Sequence, residues 1–239
     1  MASYGQFCPV AKTAELVCER WTPLVLRELM LGSERFTDIH RGIPLISPAL
    51  LSKRLRQLVA AGVVESGRHD GHGCYRLTPA GWELYPLVEL MGAWGQRWAR
   101  SRYEADELDP SVLMWDIRRM LRPHGLAGRR TVIEFRLPDA PARKRRYWLI
   151  VDQAVDLCLV DPGLEVELVV IAPLRTLTQI WMGDRTMTDA MGEGTVELLG
   201  PARLVRRFPG WLGQHPTLGR IAPAQAVAPA TPSTDGVAG

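Results

Sequence analysis

The sequence contains few cysteines and no long apolar run. Its four cysteines are too few and too scattered for a disulfide framework, which fits a reducing compartment. No apolar run approaches the roughly 18–20 residues of a membrane span, and the stretch from Met1 to Cys8 has neither the basic nor the apolar region of a signal peptide. We therefore expect a cytoplasmic protein without a membrane partner.

Recognisable catalytic residues are also lacking. No nucleophile–base pair, phosphate-binding loop or pair of acids stands out, so we expect neither an enzyme nor a bound cofactor. His69, His72 and Cys74 come close to the spacing of metal ligands. A structural zinc site, however, needs a fourth ligand and a paired second motif. We therefore expect no metal and interpret this segment as a solvated loop.

Length and composition indicate two folded domains. The chain has 239 residues, of which 46% are hydrophobic and 23% charged, so wholesale disorder is excluded. A short acidic stretch that ends in Pro110 separates a helix-patterned half from a strand-rich half. We expect domains at 1–107 and 108–220, followed by a disordered tail at 221–239, which is built mainly of Ala, Pro, Gly, Val, Thr and Ser.

The small net charge of +3 is unevenly distributed. Up to Tyr103 there are 13 Lys and Arg against 9 Asp and Glu, whereas from Glu104 onward there are 16 against 17. The first domain is therefore the basic one, which is a weak indication of a nucleic-acid partner.

Helical spacing and capping signals predict a series of short helices in the first domain. Pairs such as Thr22-Pro23 and Ser47-Pro48 combine an N-cap residue with proline at the first helical position. The predicted helices are Ala11–Cys18, Pro23–Leu31, Phe36–Arg41 and Ser47–Ala61.

The helix Ser47–Ala61 carries the clearest functional signal. Leu51, Leu55 and Leu58 form a narrow apolar stripe that must face the core, and the helix contains no carboxylate. Small and basic residues lie on the opposite face, which suits a groove of DNA. The alternative is a solvated amphipathic helix with chance charge. The candidate DNA contacts are Ser47, Ala49, Ser52, Lys53 and Arg56, with Arg54 on the flank of the stripe.

A β-hairpin follows this helix. Two β-prone runs, Val63–Arg68 and Cys74–Leu77, are joined by a polar loop with two glycines, and Arg68 and Arg76 flank it as further candidate DNA contacts. Helices, a basic last helix and a hairpin together predict a winged helix-turn-helix, whose last helix enters the major groove.

One long helix is predicted from Pro79 to about Tyr103. Its apolar stripe has too few neighbours within so small a domain, so we expect it to pair with a second copy in a homodimer. The stripe includes Leu84, Leu87, Val88, Met91, Trp94 and Trp98.

Several motifs in order resemble the HxlR-type winged-helix transcriptional regulators, which are related to the MarR group. They include Arg20-Trp-Thr-Pro-Leu, Arg35-Phe-Thr-Asp-Ile, Ser47-Pro-Ala-Leu-Leu-Ser-Lys-Arg-Leu and Tyr75-Arg-Leu-Thr-Pro. The resemblance covers about residues 7–100 and implies a dimeric regulator that binds double-stranded DNA. Some members of the family sense oxidants through a cysteine before proline, and Cys8 occupies that place. Cys8 is therefore a candidate redox sensor, or else an inert packing residue.

The second domain is predicted to be an α+β layer with helices on one face of a sheet. Its β-prone runs alternate as half-exposed antiparallel strands do, and Pro173 and Thr186 open helices after them. The predicted strands are Thr131–Leu137, Tyr147–Val151, Val155–Val160, Glu165–Ile171 and Val196–Leu199.

This region also resembles the sterol-carrier-protein-like domain. The resemblance rests on segments such as Leu174-Arg-Thr-Leu-Thr-Gln-Ile-Trp-Met-Gly-Asp and Trp211-Leu-Gly and is less specific than the first. It implies a sheet-and-helix pocket for an apolar or aromatic small molecule. Candidate lining residues are Trp181, Met182, Met187 and Met191, with ordinary core as the alternative for each.

The sequence therefore predicts a dimeric transcriptional regulator, expected to be a repressor, whose second domain binds an apolar effector. The alternative is a carrier of lipids or small molecules, or an enzyme accessory protein, that uses its winged helix for protein contacts.

Overall fold

The computed structural model describes residues 3–69, 71–99, 103–124 and 130–212. We call residues 3–99 the N-terminal part and residues 103–212 the C-terminal part. The tail predicted at 221–239 lies outside the described residues. Within them, no helix is both long enough and apolar enough to cross a bilayer.

The N-terminal part is a winged helix-turn-helix fold, and the overall structure is α+β. The elements of the N-terminal part in chain order are α1 (Pro9–Val17), α2 (Thr22–Met30), α3 (Phe36–Gly42), α4 (Pro48–Ala60), β1 (Val64–His69), β2 (His72–Leu77), α5 (Pro79–Trp82) and α6 (Tyr85–Trp98).

Capping explains where α4 and α5 begin. The Ser47 hydroxyl accepts a hydrogen bond from the backbone N–H of Leu50 at 3.3 Å, and Thr78 accepts one from Gly81 at 3.2 Å. In each case proline occupies the first turn, where its missing N–H costs nothing. Helix α2 differs from the prediction, because its N-cap is Trp21 rather than Thr22.

The single long helix predicted from Pro79 is wrong. The structure divides it into α5 and α6, which begins one residue before Pro86. Proline within a helix removes a hydrogen bond and collides with the carbonyl four residues earlier, so the chain bends there and a new helix starts. Residues 100–102, the end of the predicted helix, lie outside the described part.

The hairpin is longer than predicted. Strands β1 and β2 pair antiparallel from Val64 opposite Leu77 to His69 opposite His72, so both histidines belong to the ladder rather than to the loop. The strands extend from the body of the fold as a wing. Val64, Leu77 and Tyr75 pack in the apolar core and Cys74 is buried, whereas the residues nearer the tip are exposed.

The C-terminal part is a sheet with helices packed on one face. Its elements are α7 (Pro110–Met120), β3 (Thr131–Arg136), β4 (Arg146–Val151), β5 (Val155–Cys158), β6 (Leu168–Ile171), α8 (Leu174–Met182), α9 (Met187–Gly192), β7 (Glu197–Leu199) and α10 (Ala202–Trp211).

The strand order is β5-β4-β3-β6-β7. Strands β3 and β6 are parallel, with Ile133 opposite Leu168, whereas the other pairs are antiparallel as predicted. The purely antiparallel interpretation is therefore wrong at one pair, because alternation along a strand does not reveal the direction of its neighbour. Helix α8 ends at Gly183, as predicted, in the left-handed conformation with a φ of 81°.

A buried carboxylate lies in this sheet. The Oε2 atom of Glu134 accepts a hydrogen bond from Arg136 at 2.8 Å, and Oε1 accepts one from Arg146 at 2.5 Å. Burial by itself raises the pKa of Glu134, but the hydrogen bonds and charges of the two arginines outweigh it. The pKa therefore lies below its ordinary value of 4.5.

Candidate nucleic-acid interface

Helix α4 presents a basic outer face. Leu51, Leu55 and Leu58 are fully buried, as the apolar stripe predicts, so the opposite face points to solvent. Of the candidate contacts on that face, Ser47, Ala49, Lys53 and Arg56 are exposed and Ser52 is half-buried.

The two exposed cations of α4, Lys53 and Arg56, have no bonding partner among the described residues. Across the described ranges, neither Lys53 nor Arg56 has a salt bridge or a side-chain hydrogen bond. Helix α4 contains no carboxylate that would neutralise them. A pair of unneutralised cations on a face of small side chains has the chemistry that phosphate groups require.

Arg54 requires a correction. Its side chain is buried, where Nη2 pairs with Glu19 at 2.7 Å, Nε donates to the carbonyl of Arg20 at 3.0 Å, and Nη1 donates to Gln57 at 2.8 Å. The guanidinium is fully occupied by these groups. Arg54 therefore ties α4 to the turn before α2 and is not placed to bind DNA.

The two arginines of the wing differ in the same way. Arg68 is exposed near the tip. Arg76 instead forms two hydrogen bonds of 2.9 Å with the carboxylate of Glu34, and these bonds hold the pKa of Glu34 below its usual range. This exposed ion pair links the wing to the turn between α2 and α3, and the role of Arg76 as a DNA contact stays a prediction.

In the described residues of the first domain, the histidines and cysteines form no metal cluster. Cys74 is buried whereas His69 and His72 are exposed. No group of three His, Cys, Asp or Glu side chains in the described ranges has the arrangement of a metal site. Cys8 is a half-buried free cysteine at the N-cap of α1.

Helix α6 exposes large apolar side chains along much of its length. Leu90 is 66% exposed and Trp94 59%, and Tyr85, Leu87, Met91 and Trp98 are exposed beside them. Contiguous apolar surface of this kind is unusual on a monomer and marks an interaction face.

The candidate ligand residues of the C-terminal part fall into two groups. Met187 is buried in the core of this part, and Met191 packs against the same core, so these two are corrected from pocket lining to core. Trp181 and Met182 belong to the same core, with Trp181 only 3% exposed, but they also line a cavity that lies between the N-terminal and C-terminal parts rather than inside the sheet-and-helix layer.

A buried ionic junction, which the sequence did not reveal, joins the two parts. Glu28 of α2 is fully buried and accepts hydrogen bonds from Arg119 of α7 at 2.8 Å, from Arg27 at 2.9 Å and from Ser33 at 3.1 Å. Arg119 also pairs with Asp116. In the sequence, the only signal for this contact was the position of Glu28 within an apolar helix, because its partner Arg119 lies 91 residues away.

The end of α3 is shaped by the same junction. A Cβ atom on Gly42 would lie 2.1 Å from the carboxyl group of Glu28, so only glycine fits this position without displacing the carboxylate. Beside it, Arg41 of α3 lies over the ring of Trp115 of α7, with 5.3 Å from Cζ to the ring centroid. Helices α2 and α3 are therefore in direct contact with α7.

Known proteins match the N-terminal part. The family described as HxlR-like helix-turn-helix matches residues 16–103. YvaP of Bacillus subtilis, named an uncharacterized HTH-type transcriptional regulator, is 30% identical over 113 residues, which cover 46% of this chain and 96% of YvaP. The chain belongs to the HxlR-like helix-turn-helix family. The HxlR-like match includes α4 and the wing and ends before α7.

Another relative is an uncharacterized HTH-type transcriptional regulator of Mycobacterium tuberculosis, 39% identical over 93 residues. The alignment covers 37% of this chain and 58% of that regulator, so the chain spans little more than half of this relative's length. Among solved structures, the reduced form of the regulator YodB from Bacillus subtilis is 31% identical, covers 40% of this chain and 97% of YodB, and has a TM-score of 0.35.

Proposed function

We propose that the chain is a dimeric transcriptional repressor that binds double-stranded DNA through α4 and the wing. The observation that carries this proposal is the outer face of α4, where Lys53 and Arg56 are exposed and have no acidic partner among the described residues. The names of the HxlR-like relatives, HTH-type transcriptional regulators, support the same function.

In this proposal α4 enters the major groove. The small side chains of Ser47, Ala49 and Ser52 let the helix approach the bases closely, while Lys53 and Arg56 contact phosphates or guanine edges. Arg68 at the wing contacts the adjacent backbone or minor groove. Each of these contacts belongs to one half-site.

The second half-site requires a second copy of the chain. The exposed apolar face of α6 is the surface we assign to the dimer, because pairing two such faces removes them from water at about 25 cal/mol for each Å² of apolar area buried. A two-fold dimer presents its two recognition helices to two successive turns of the major groove.

We further propose that the domains divide at 1–107 and 108–220, with an effector-binding role for the second. The described sheet with helices on one face is compatible with the sheet-and-helix arrangement that the sterol-carrier-like resemblance implies. Effector binding changes DNA affinity only if the ligand prefers one arrangement of the dimer. Cys8 remains the candidate redox sensor.

Genome-wide mapping of bound DNA, followed by gel shifts with the recovered fragments, tests this function. We expect sequence-dependent, salt-sensitive binding to sites made of two similar halves. Retention of a protein partner on the α4 face, with no preferred DNA, would contradict the proposal and favour the accessory-protein alternative.

A further inference from the structure

A polar cavity of about 430 Å³ lies beside the buried ionic junction of Glu28 and Arg119. Pockets for small organic ligands commonly have volumes of roughly 300–1,000 Å³, so this cavity has room for one small molecule. The second half of α7 and the turn between β4 and β5 supply most of its wall. The turn between α2 and α3 and the first turn of α3 supply the rest, so a ligand here touches both parts of the chain.

The charged side chains of this cavity are mainly basic. Three arginines line it from the end of α7 and the residues just after it, Arg118, Arg119 and Arg122. Asp38 of α3 is the one acidic side chain among the described lining residues. Before any pairing is considered, the cavity therefore has three positive charges against one negative charge.

Two of these four charges are balanced by partners outside the lining. Arg119 pairs with Glu28 at 2.8 Å and also with Asp116. Asp38 pairs with Arg41 at 3.5 Å. The surplus of positive charge in the cavity therefore comes from the remaining two arginines, Arg118 and Arg122.

Arg118 and Arg122 have no carboxylate partner among the described residues. Nε of Arg118 donates to the carbonyl of Val155 at 3.0 Å, and its Cζ lies 4.6 Å from the centroid of the Trp115 ring. Nη1 of Arg122 donates to two carbonyls at the end of α7, at 2.9 and 3.3 Å. These contacts orient both guanidinium groups without neutralising them, and they leave further N–H donors of each group for a ligand.

Two oriented and unneutralised guanidinium groups in one cavity have the chemistry of an anion site. Their field attracts anions and repels cations, and walls of low dielectric constant strengthen it. A guanidinium presents its N–H donors in a rigid plane that matches the oxygens of a carboxylate or a phosphate. A concave site of this size suits a small molecule better than the backbone of a DNA duplex.

We propose that this cavity binds a small anion that carries two or more phosphate or carboxylate charges, and that this anion is the effector of the repressor. The word effector rests on the proposed function, whereas the binding site is independent of it. Arg118 and Arg122 hold the anion, while Arg119 stays bonded to Glu28.

The cavity wall is bonded to the wing through Glu34. Gly32 and Ser33 line the cavity, and Glu34 follows them directly. The carbonyl of Glu34 accepts a hydrogen bond from the backbone N–H of Tyr75 in β2 at 2.8 Å, and its carboxylate pairs with Arg76. A ligand that shifts the turn between α2 and α3 therefore acts on the base of the wing.

Helix α3 connects the cavity to the recognition helix. Its residue Asp38 lines the cavity, and the carboxylate of Asp38 is repelled by a bound anion. Further along α3, the ring of His40 is hydrogen-bonded to the carbonyl of Ile46 at 3.0 Å, one residue before Ser47, the N-cap of α4. An anion in the cavity thus favours one position of the helix that precedes α4, as an effector must.

Two anions of different chemistry test the site. Inorganic pyrophosphate and citrate are titrated separately into the full chain without DNA, at constant ionic strength and without divalent cations. The heat of binding is measured by calorimetry. We expect at least one of the two anions to bind, with one site per chain. Binding of neither overturns the proposal.

Substitution of the two arginines locates the binding. Arg118→Gln and Arg122→Gln each remove one cation from the cavity, so each should weaken binding of the anion at least about tenfold, as loss of a charge-assisted hydrogen bond does. The matched controls are Arg56→Gln and Arg143→Gln, which alter exposed arginines outside the lining. Unchanged binding in either cavity variant, or an equal loss in the controls, overturns the site.

Two variants that remove no cation separate charge from damage to the fold. Ala154→Glu adds a carboxylate at an exposed position of the cavity wall and should weaken binding at least about threefold. Its control is Ala142→Glu, at an exposed position outside the lining. Asp38→Asn should tighten binding about two- to fivefold, as removal of a like charge does. Weaker or unchanged binding in Asp38→Asn, or equal losses in the two glutamate variants, contradicts the charge argument.

A DNA titration with and without the anion at saturation separates this inference from the proposed function. A change in DNA affinity that Arg118→Gln abolishes supports the effector role, and unchanged affinity overturns that role. A less steep salt dependence of DNA binding in Arg118→Gln without the anion would show that the cavity holds a DNA phosphate, and would overturn the small anion. If the chain binds no DNA at all, the proposed function fails, while the calorimetry still decides whether the cavity binds the anion.

Discussion

Arg119 Nη1 lies 2.8 Å from Oε2 of Glu28, a contact that joins α7 to α2 across 91 residues of sequence. Both side chains are removed from water, so each charge depends on the other. Around this pair, Ser33 and Arg27 complete the hydrogen bonding of the carboxylate. The two parts of the chain are therefore coupled through a bonded ionic group and not only through apolar contact.

Removal of Arg119 is expected to uncouple the two parts. Arg119→Met leaves Glu28 buried without its main partner, which costs roughly 3–5 kcal/mol when a buried pair is broken. Calorimetric melting should then show the two parts unfolding in separate steps. The control is Arg143→Met, which removes an exposed arginine of the C-terminal part and should change stability by no more than about 0.5 kcal/mol. A single wild-type-like transition in Arg119→Met contradicts the coupling.

Arg54 is expected to affect stability more than DNA contact. Arg54→Ala removes a buried group that bonds to Glu19 and Arg20, so unfolding should become easier by about 1.5–3 kcal/mol, as for hydrogen bonds to charged groups. The dependence of DNA affinity on salt should stay unchanged in the folded variant. A reduced salt slope with unaltered stability would show that Arg54 binds phosphate instead.

The acid sensitivity of the C-terminal part should depend on Glu134. Its pKa lies below the ordinary value of 4.5, so its ionised form stabilises the fold. That stabilisation is fully present above about pH 4.5 and is lost as the pH falls through the lower pKa of the folded state. Glu134→Gln should therefore be less stable at pH 7 and lose less stability on acidification. Urea unfolding at a series of pH values measures this, and parallel curves for both proteins would contradict it.

The apolar face of α6 should hold the dimer. Leu90→Glu places a charge at an exposed position, so it should leave the monomer folded but prevent the apolar faces from meeting. Sedimentation velocity should show a dimer for the wild type and a monomer for Leu90→Glu. Val160→Glu, which places the same charge at an exposed position elsewhere, should remain dimeric. A Leu90→Glu protein that is still a dimer places the interface elsewhere.

Local signals in the sequence predicted much of the fold. The stripe of Leu51, Leu55 and Leu58 determined which side of α4 faces the core, and Ser47 and Gly183 marked helix ends that the structure confirms. These features depend on residues within a few positions of one another. Pro86 also carried the correct signal for a helix start, but the one long helix predicted from Pro79 runs through it.

Long-range partners were the part that local patterns did not reveal. Arg54 lies three residues after Leu51 and four before Leu58, which places it beside the buried stripe, but its partner Glu19 comes from a distant turn. Glu28 and Arg119 are separated still further. A ligand pocket was predicted inside the C-terminal part, whereas the cavity that Trp181 and Met182 line lies between the two parts. Its lining by Trp21 and Leu45 depends on how the two parts pack, which no local pattern reveals.

The salt dependence of DNA binding tests the central claim most directly. Fluorescence anisotropy gives the dissociation constant of the selected DNA at several salt concentrations for the wild type, Arg56→Ala and the control Arg206→Ala, an exposed arginine of α10. Affinity falls as salt rises, and each lost phosphate contact makes the slope of log affinity against log salt less steep by about 0.9, hence by about 1.8 in a dimer. The proposal predicts this loss for Arg56→Ala and none for Arg206→Ala. Equal slopes for all three proteins would contradict DNA binding through α4.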